Sequence, residues 1–303
     1  MQLGDQSGGA IELELGVRPR RLDAFEVGRV LPARARRMVG PFTFFDEIGP
    51  ARLAPGQGLD VRPHPHIGLA TVTYLFAGEI LHRDSLGSAQ PIRPGAINWM
   101  TAGRGIVHSE RTPVAARAQG PSLHGLQLWV ALPQAKEACE PAFSHHPAET
   151  IPDVDDRGVH VRVLAGAAYG KTSPVPIASP LFYVEARLAE GARLEVPREY
   201  EERAVYVIGG AVRCRSATIP PGIMAVFRPR AEVVLTATAP THVVMIGGAP
   251  LAGPHYIWWN FVSSSQERIV EATRAWKAAL FPKVPGDEVE RIPPPDEPPF
   301  SRG

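Results

Sequence analysis

An all-β chain of two barrel domains, with a single helix near its C-terminus, is what this sequence predicts. Three observations lead there. Prolines (32) and glycines (29) are spread as short turn signals along most of the chain and divide it into many short strands, the habit of sandwiches and barrels. The length of 303 residues suits two domains, each able to bury its own core. One order of strand, glycine turn, strand, Pro-Gly turn and strand occurs twice. Val205 to Ile208 followed by Gly209-Gly210 echoes Val72 to Phe76 followed by Ala77-Gly78, and Ile219-Pro220-Pro221-Gly222 echoes Ile92-Arg93-Pro94-Gly95.

Taken in order, the first β-rich block runs from about Leu13 to Val130. Its clearest strands are Ala70 to Phe76, Ala96 to Met100 and Leu123 to Val130. Ala77-Gly78, Ser85-Leu86-Gly87 and Arg93-Pro94-Gly95 form the turns. A polar stretch from Pro133 to Arg157 reads as a connection, and a second block spans Val159 to Gly248. The expected domains are residues 1–135, a connection over 136–158, and 159–303 with the helix and tail. From Gln266 to Phe281, the residues Ile269, Thr273, Trp276 and Leu280 recur at helical spacing and predict one packed face. Ser264 with Glu267 three residues on reads as a capping box. Beyond Pro285 the proline-rich acidic tail reads as an extended surface strap.

The chain is 44% hydrophobic and 21% charged, and its 32 basic and 31 acidic residues leave a net charge of +1. That balance supplies no basic footprint for nucleic acid and no draw toward an anionic membrane. The apolar runs are too short to span a bilayer. The N-terminus lacks a basic start followed by an apolar core, and Cys139 and Cys214 fit no zinc or redox spacing. Both features predict a cytoplasmic protein, with the two thiols as inert buried residues.

Two clusters carry chemistry. RPHPHIG holds His64 and His66, and TAGRGIVHSERTP holds His108 and Glu110, each a pair at spacing two. Residues two apart on a strand face the same way, so each pair aims two ligand atoms in one direction, and neighbouring strands bring the pairs together. His64 and His66 share parity with Ala70, Val72, Tyr74 and Phe76, so an uninterrupted strand would place all six on the interior face. Three imidazoles and one carboxylate suit Fe, Mn, Co, Ni, Cu or Zn better than Ca or Mg, and leave positions open on the ion. Glu110 supplies the one carboxylate of the set. His82 and Asp84 read as an exposed strand end, with a role as partners of the ligands as the alternative. His124 shares parity with Leu126, Leu128 and Val130 and reads as a satisfied core histidine, with lining the site as the alternative. Arg104, between Gly103 and Gly105, marks a tight loop, and His145 and His146 are expected in solvent.

These clusters resemble the pirin family of the cupin superfamily. The resemblance is carried by GRVLPARARRMVGPFTFFDEIGP, RPHPHIGLATVTYLFAGEILHRDSLGS, IRPGAINWMTAGRGIVHSERTP, HGLQLWVALP and the later YIWWNFVSSSQERIVEA. It implies a bicupin, two double-stranded β-helix (jelly-roll) barrels with a short C-terminal helix. It implies one metal, usually iron(II), in the N-terminal barrel on His64, His66, His108 and Glu110. Ala70 departs from the family, which often has glutamate there. Similar pirins have quercetin 2,3-dioxygenase activity, which implies a small aromatic substrate such as a flavonol and, with Glu110 the one carboxylate placed at the ion, implies that Glu110 serves as ligand and as proton acceptor. Others act as non-catalytic regulators of a partner protein, with the metal's redox state as the switch. The second barrel lacks the ligands: Leu235 and Ala237 fall near the places of His108 and Glu110, and no histidine pair occurs within Pro197 to Arg203.

Overall fold

The computed structural model describes residues 9–22, 25–295 and 297–300. The chain is all-β with two helices among these residues and folds into two compact units. The larger unit takes residues 19–32, 42–150 and 251 onward, and the smaller takes residues up to 18, 33–41 and 151–250.

In the larger unit a seven-stranded sheet runs in the order Ala142–His146, Ile97–Thr101, Leu69–Ala77, Ser122–Ala131, Phe42–Arg52, Phe25–Leu31 and Arg18–Leu22. A four-stranded sheet runs Asp60–His66, Ile106–Arg111, Ile80–Asp84 and Ala89–Ile92. Val27, Ile48, Leu59, Leu75, Ile80, Ile92 and Leu123 form an apolar cluster that contributes side chains from both sheets. The strand Asp60–His66 lies at the edge of its sheet, which explains why it tolerates Pro63 and Pro65: an edge strand has a side that needs no ladder donors.

The smaller unit repeats the plan. Its large sheet runs Ile11–Gly16, Ile223–Phe227, Glu202–Gly209, Thr241–Gly248, Leu181–Leu188, Val159–Ala168 and Asp153–Asp156. Its four-stranded sheet runs Arg193–Glu195, Val234–Ala237, Val212–Cys214 and Ala217–Ile219. Cross-strand register makes the duplication specific. His108 lies opposite His64 and Asp84, and Leu235 lies opposite Leu194 and Cys214. Glu110 lies opposite His82, and Ala237 opposite Val212. Leu194, Val212, Cys214, Leu235 and Ala237 all belong to one buried apolar cluster. Where the first barrel places His108 and Glu110, the second has apolar side chains, with one thiol opposite Leu235.

Several expectations are corrected. The domain limits 1–135, 136–158 and 159–303 do not follow the packing. Ile11–Gly16 pairs with Ile223–Phe227 in the smaller unit, while the C-terminal helix and tail belong to the larger one. Ala142–His146, expected in the connection, pairs with Ile97–Thr101. The parity argument also fails. Gly68, at φ +68, turns the chain between the strands Asp60–His66 and Leu69–Ala77. A Cβ at Gly68 would collide with the Val262 carbonyl, so the crossing requires glycine. Beyond this turn the odd-numbered Thr73 and Leu75 face the interior, Thr73 reaching Glu110 and Leu75 entering the apolar cluster.

The helix spans Gln266–Lys277 and buries Ile269, Ala272, Thr273 and Trp276. Leu280 lies past its end and is 75% exposed. Ser265, one residue later than expected, is the N-cap and accepts from the Arg268 N–H. Ser264 instead donates through its backbone and its hydroxyl to Glu137, which also takes the Arg268 guanidinium at 2.7 Å. This carboxylate ties the helix start to the loop after Ala131.

Candidate metal centre

His64, His66 and His108 come together, with one ligand atom from each within 4.8 Å of the others. Two strands do this. His64 and His66 lie on Asp60–His66, and His108 lies directly opposite His64 on Ile106–Arg111. A register shift follows between His108 and Glu110, so Glu110 lies opposite Val61. Ring centroids are separated by 4.4 Å for His64 and His108, 4.9 Å for His64 and His66, and 5.0 Å for His66 and His108.

Hydrogen bonds orient the rings. His64 Nδ1 donates to the Arg62 carbonyl at 2.8 Å, and His66 Nδ1 donates to the Asn260 carbonyl at 3.1 Å. A carbonyl only accepts, so each Nδ1 carries the proton and each Nε2 offers its lone pair. His66 Nε2 then lies 3.1 Å from His108 Nε2. Burial, reinforced by the neighbouring rings, holds His66 and His108 well below the ordinary imidazole value. Burial likewise lowers His64 to about 4, against the opposing bond to Arg62. Three neutral imidazoles with inward lone pairs are a donor set that fits a transition-metal cation.

Glu110 is 7% exposed and lines the same cavity, but lies outside the group of close ligand atoms. Thr73 Oγ1 donates to its Oε1 at 2.9 Å and also lies 2.9 Å from Gln127. Burial raises the carboxyl pKa, opposed by His82 and the Thr73 bond. The cavity measures about 400 Å³, within the usual range for small-molecule sites. Phe44 and Trp129, stacked at 4.1 Å, form one wall, and Trp129 meets His66 edge-on. Arg29 lies over Phe44 and pairs through two nitrogens with the buried Asp46. Ile257, Trp259 and Ile292 come from the C-terminal segment, whose Ile292 N–H donates to the Pro63 carbonyl.

The expected exposed strand end is overturned. His82 is 3% exposed and Asp84 fully buried. His82 Nε2 donates to Asp84 Oδ2 at 3.1 Å, and its Nδ1 lies 3.5 Å from His108 Nδ1. Burial acts to raise the Asp84 pKa, but hydrogen bonds from His82 and Ser88 outweigh it and hold the group below the ordinary carboxylate range. The signal was available: His82 and Asp84 form a third spacing-two pair on an alternating strand. His124 does not reach the cavity; it bonds Glu47 at 2.9 Å and packs against Phe76. Gln127 and Trp129, of opposite parity, line the cavity instead. His145 is half-buried and meets Asn98 at 2.7 Å, while Arg104 pairs with Glu140 at the surface. Cys214 is buried and Cys139 half-buried, and neither forms a disulfide.

Two barrels of this topology, one with a histidine triad and one with apolar side chains at the matching positions, define a metal-binding bicupin. Comparison with known proteins narrows the class. The family description Pirin matches residues 24–130, and Pirin C-terminal cupin domain matches residues 183–282. A pirin-like protein of Caulobacter vibrioides is 49% identical over 290 residues, covering 94% of this chain and all of that protein. A Pseudomonas aeruginosa protein, whose name proposes quercetin 2,3-dioxygenase activity, is 38% identical over 83% of this chain and 78% of its own length. The crystal structure of a quercetin 2,3-dioxygenase from Acinetobacter baumannii superposes with a TM-score of 0.88 at 34% identity, covering 96% of this chain and 97% of that one. The chain belongs to the pirin family. Among its described residues, no helix is long and apolar enough to cross a membrane.

Proposed function

We propose that this protein is a metal-dependent dioxygenase of the quercetin 2,3-dioxygenase type, acting on a flavonol-like aromatic enol. One divalent transition metal, iron(II), would be held by His64, His66, His108 and Glu110. The carrying observation is the convergence of three neutral imidazoles and one buried carboxylate on a single cavity with aromatic walls. The Caulobacter, Pseudomonas and Acinetobacter relatives support the reading by their similarity.

When bound, the metal supplies Lewis acidity toward a substrate hydroxyl and a route for electrons to dioxygen. The chain supplies the rest. Glu110, buried on the cavity wall, accepts the enol proton. The Thr73 hydroxyl holds Oε1 in place while it does so. The stacked Phe44 and Trp129 offer a flat face to a planar ring, and Ile257 and Ile292 exclude water from the reacting centre.

The test is direct. Iron(II)-loaded protein is mixed anaerobically with quercetin, air is admitted, and loss of the flavonol absorbance is followed. Loss that depends on iron and disappears in His108→Ala is expected. Absorbance that decays no faster than in the metal-free control rejects the activity.

A further inference from the structure

We propose that Asp84 and His82 are positioning residues that set the proton order of the metal centre, acting through His108. The inference rests on the metal reading above. A cation on His108 Nε2 requires the ring proton on Nδ1, and that proton needs an acceptor. The group facing it is His82 Nδ1, at 3.5 Å. His82 Nδ1 can accept only when the His82 proton sits on Nε2, where Asp84 Oδ2 takes it at 3.1 Å.

Asp84 is the anchor because an ionised carboxylate can only accept. Its other oxygen, Oδ1, accepts from the N–H groups of Leu86 and Ser88 at 2.9 and 3.1 Å, which fixes the side chain in the turn after its strand. His82 is held flat against Phe143, with ring centroids 4.3 Å apart and planes within 9°. Both groups are buried, so no bulk water replaces a missing partner. The direction of donation therefore runs from His108 to His82 to Asp84, and it leaves the His108 lone pair aimed at His66 and His64.

Asp84→Asn reverses this order. The two turn N–H groups keep the amide oxygen, so the amide NH2 faces His82 Nε2. His82 must then carry its proton on Nδ1, His108 must accept there, and the His108 proton moves to Nε2. From that position it donates to His66 Nε2, 3.1 Å away. The metal-free variant is thus a fully bonded chain that a cation must break. Rotating the amide back instead turns its NH2 toward the Leu86 and Ser88 N–H donors and gives up both of those bonds.

The experiment is a Co(II) titration of chelator-stripped full-length chain, with wild type, Asp84→Asn and His82→Phe side by side. Outer partners of metal-bound histidines typically contribute 10- to 100-fold in affinity, and a loss of that size is expected in Asp84→Asn. Imidazole ¹⁵N spectra provide a second readout that a merely structural role would not move. The His82 proton should sit on Nε2 in Zn(II)-loaded wild type and on Nδ1 in metal-free Asp84→Asn. His82→Phe keeps the stack on Phe143 and the bonds of Asp84 to the turn, so it carries the test should the first variant fail to fold; it too should bind Co(II) more weakly. Wild-type Co(II) affinity in either folded variant, or weakened binding in Asp84→Asn with the proton still on Nε2, overturns the proposal. A wild type that binds no Co(II) rejects the metal reading itself, and the two failures are thereby distinguished.

Discussion

Glu110→Gln separates chemistry from scaffolding at the centre. Glutamine keeps the shape of the side chain, and its amide oxygen can still accept from Thr73, now 2.9 Å from Oε1. What is lost is a negative charge and a basic site in a position only 7% exposed. Burial already disfavours the ionised carboxyl when no cation is present, so the neutral amide should leave metal-free stability at pH 7 undiminished. Metal affinity should fall, because the cavity loses the anion proposed to coordinate the ion. Turnover per bound iron should fall further, by about 10² to 10⁴-fold, the usual contribution of a general base. That corresponds to about 3–5 kcal/mol in the barrier, at roughly 1.4 kcal/mol per decade. The assay is flavonol consumption normalised to bound iron, run beside a metal titration and a denaturation curve. Unchanged turnover per iron would refute Glu110 as the base.

Two further outcomes are expected. Purified protein should hold one transition-metal ion per chain, with its anomalous signal at the His64–His66–His108 triad; His64→Ala or His108→Ala should deplete it and His145→Ala should not, and a strong peak beside Leu235 and Ala237 would contradict the apolar reading of the second barrel. At Glu137, burial acts to raise the pKa, but hydrogen bonds from Ser264 and Arg268 outweigh it and the net shift is downward from 4.5. The stability this group contributes is therefore present above about pH 4.5 and lost as pH falls through its lower folded value. Glu137→Gln should cost about 1.5–3 kcal/mol near pH 7 by chemical denaturation, as for hydrogen bonds to charged groups. That difference should shrink under acid; a pH-independent one would sink the argument.

The histidine cluster was legible because strand periodicity is local. Bringing His64 and His66 to one face needed only the rule that alternate residues share a face, while a register shift separates His108 from Glu110. The same rule, applied without a break, misplaced Leu69–Ala77, because one left-handed residue at Gly68 changes which parity faces inward. Composition and the repeated turn order pointed to two β-barrels, and the absence of histidine at Leu235 and Ala237 already marked the second as lacking the ligands.

Other features depended on pairings between distant residues. Ile11–Gly16 completes a sheet with Ile223–Phe227, more than 200 positions away, and no pattern within either strand names the other. His82 and Asp84 read as a polar strand end until burial and the contact with His108 placed them behind the metal centre. The tail read as a surface strap, yet Ile292 forms part of the cavity wall and Arg111 binds Asp287 through two nitrogens. Sequence alone determined which residue types were available and which neighbours shared a face. The tertiary structure decided which faces met, because burial and hydrogen-bond satisfaction depend on segments that the local pattern cannot bring together.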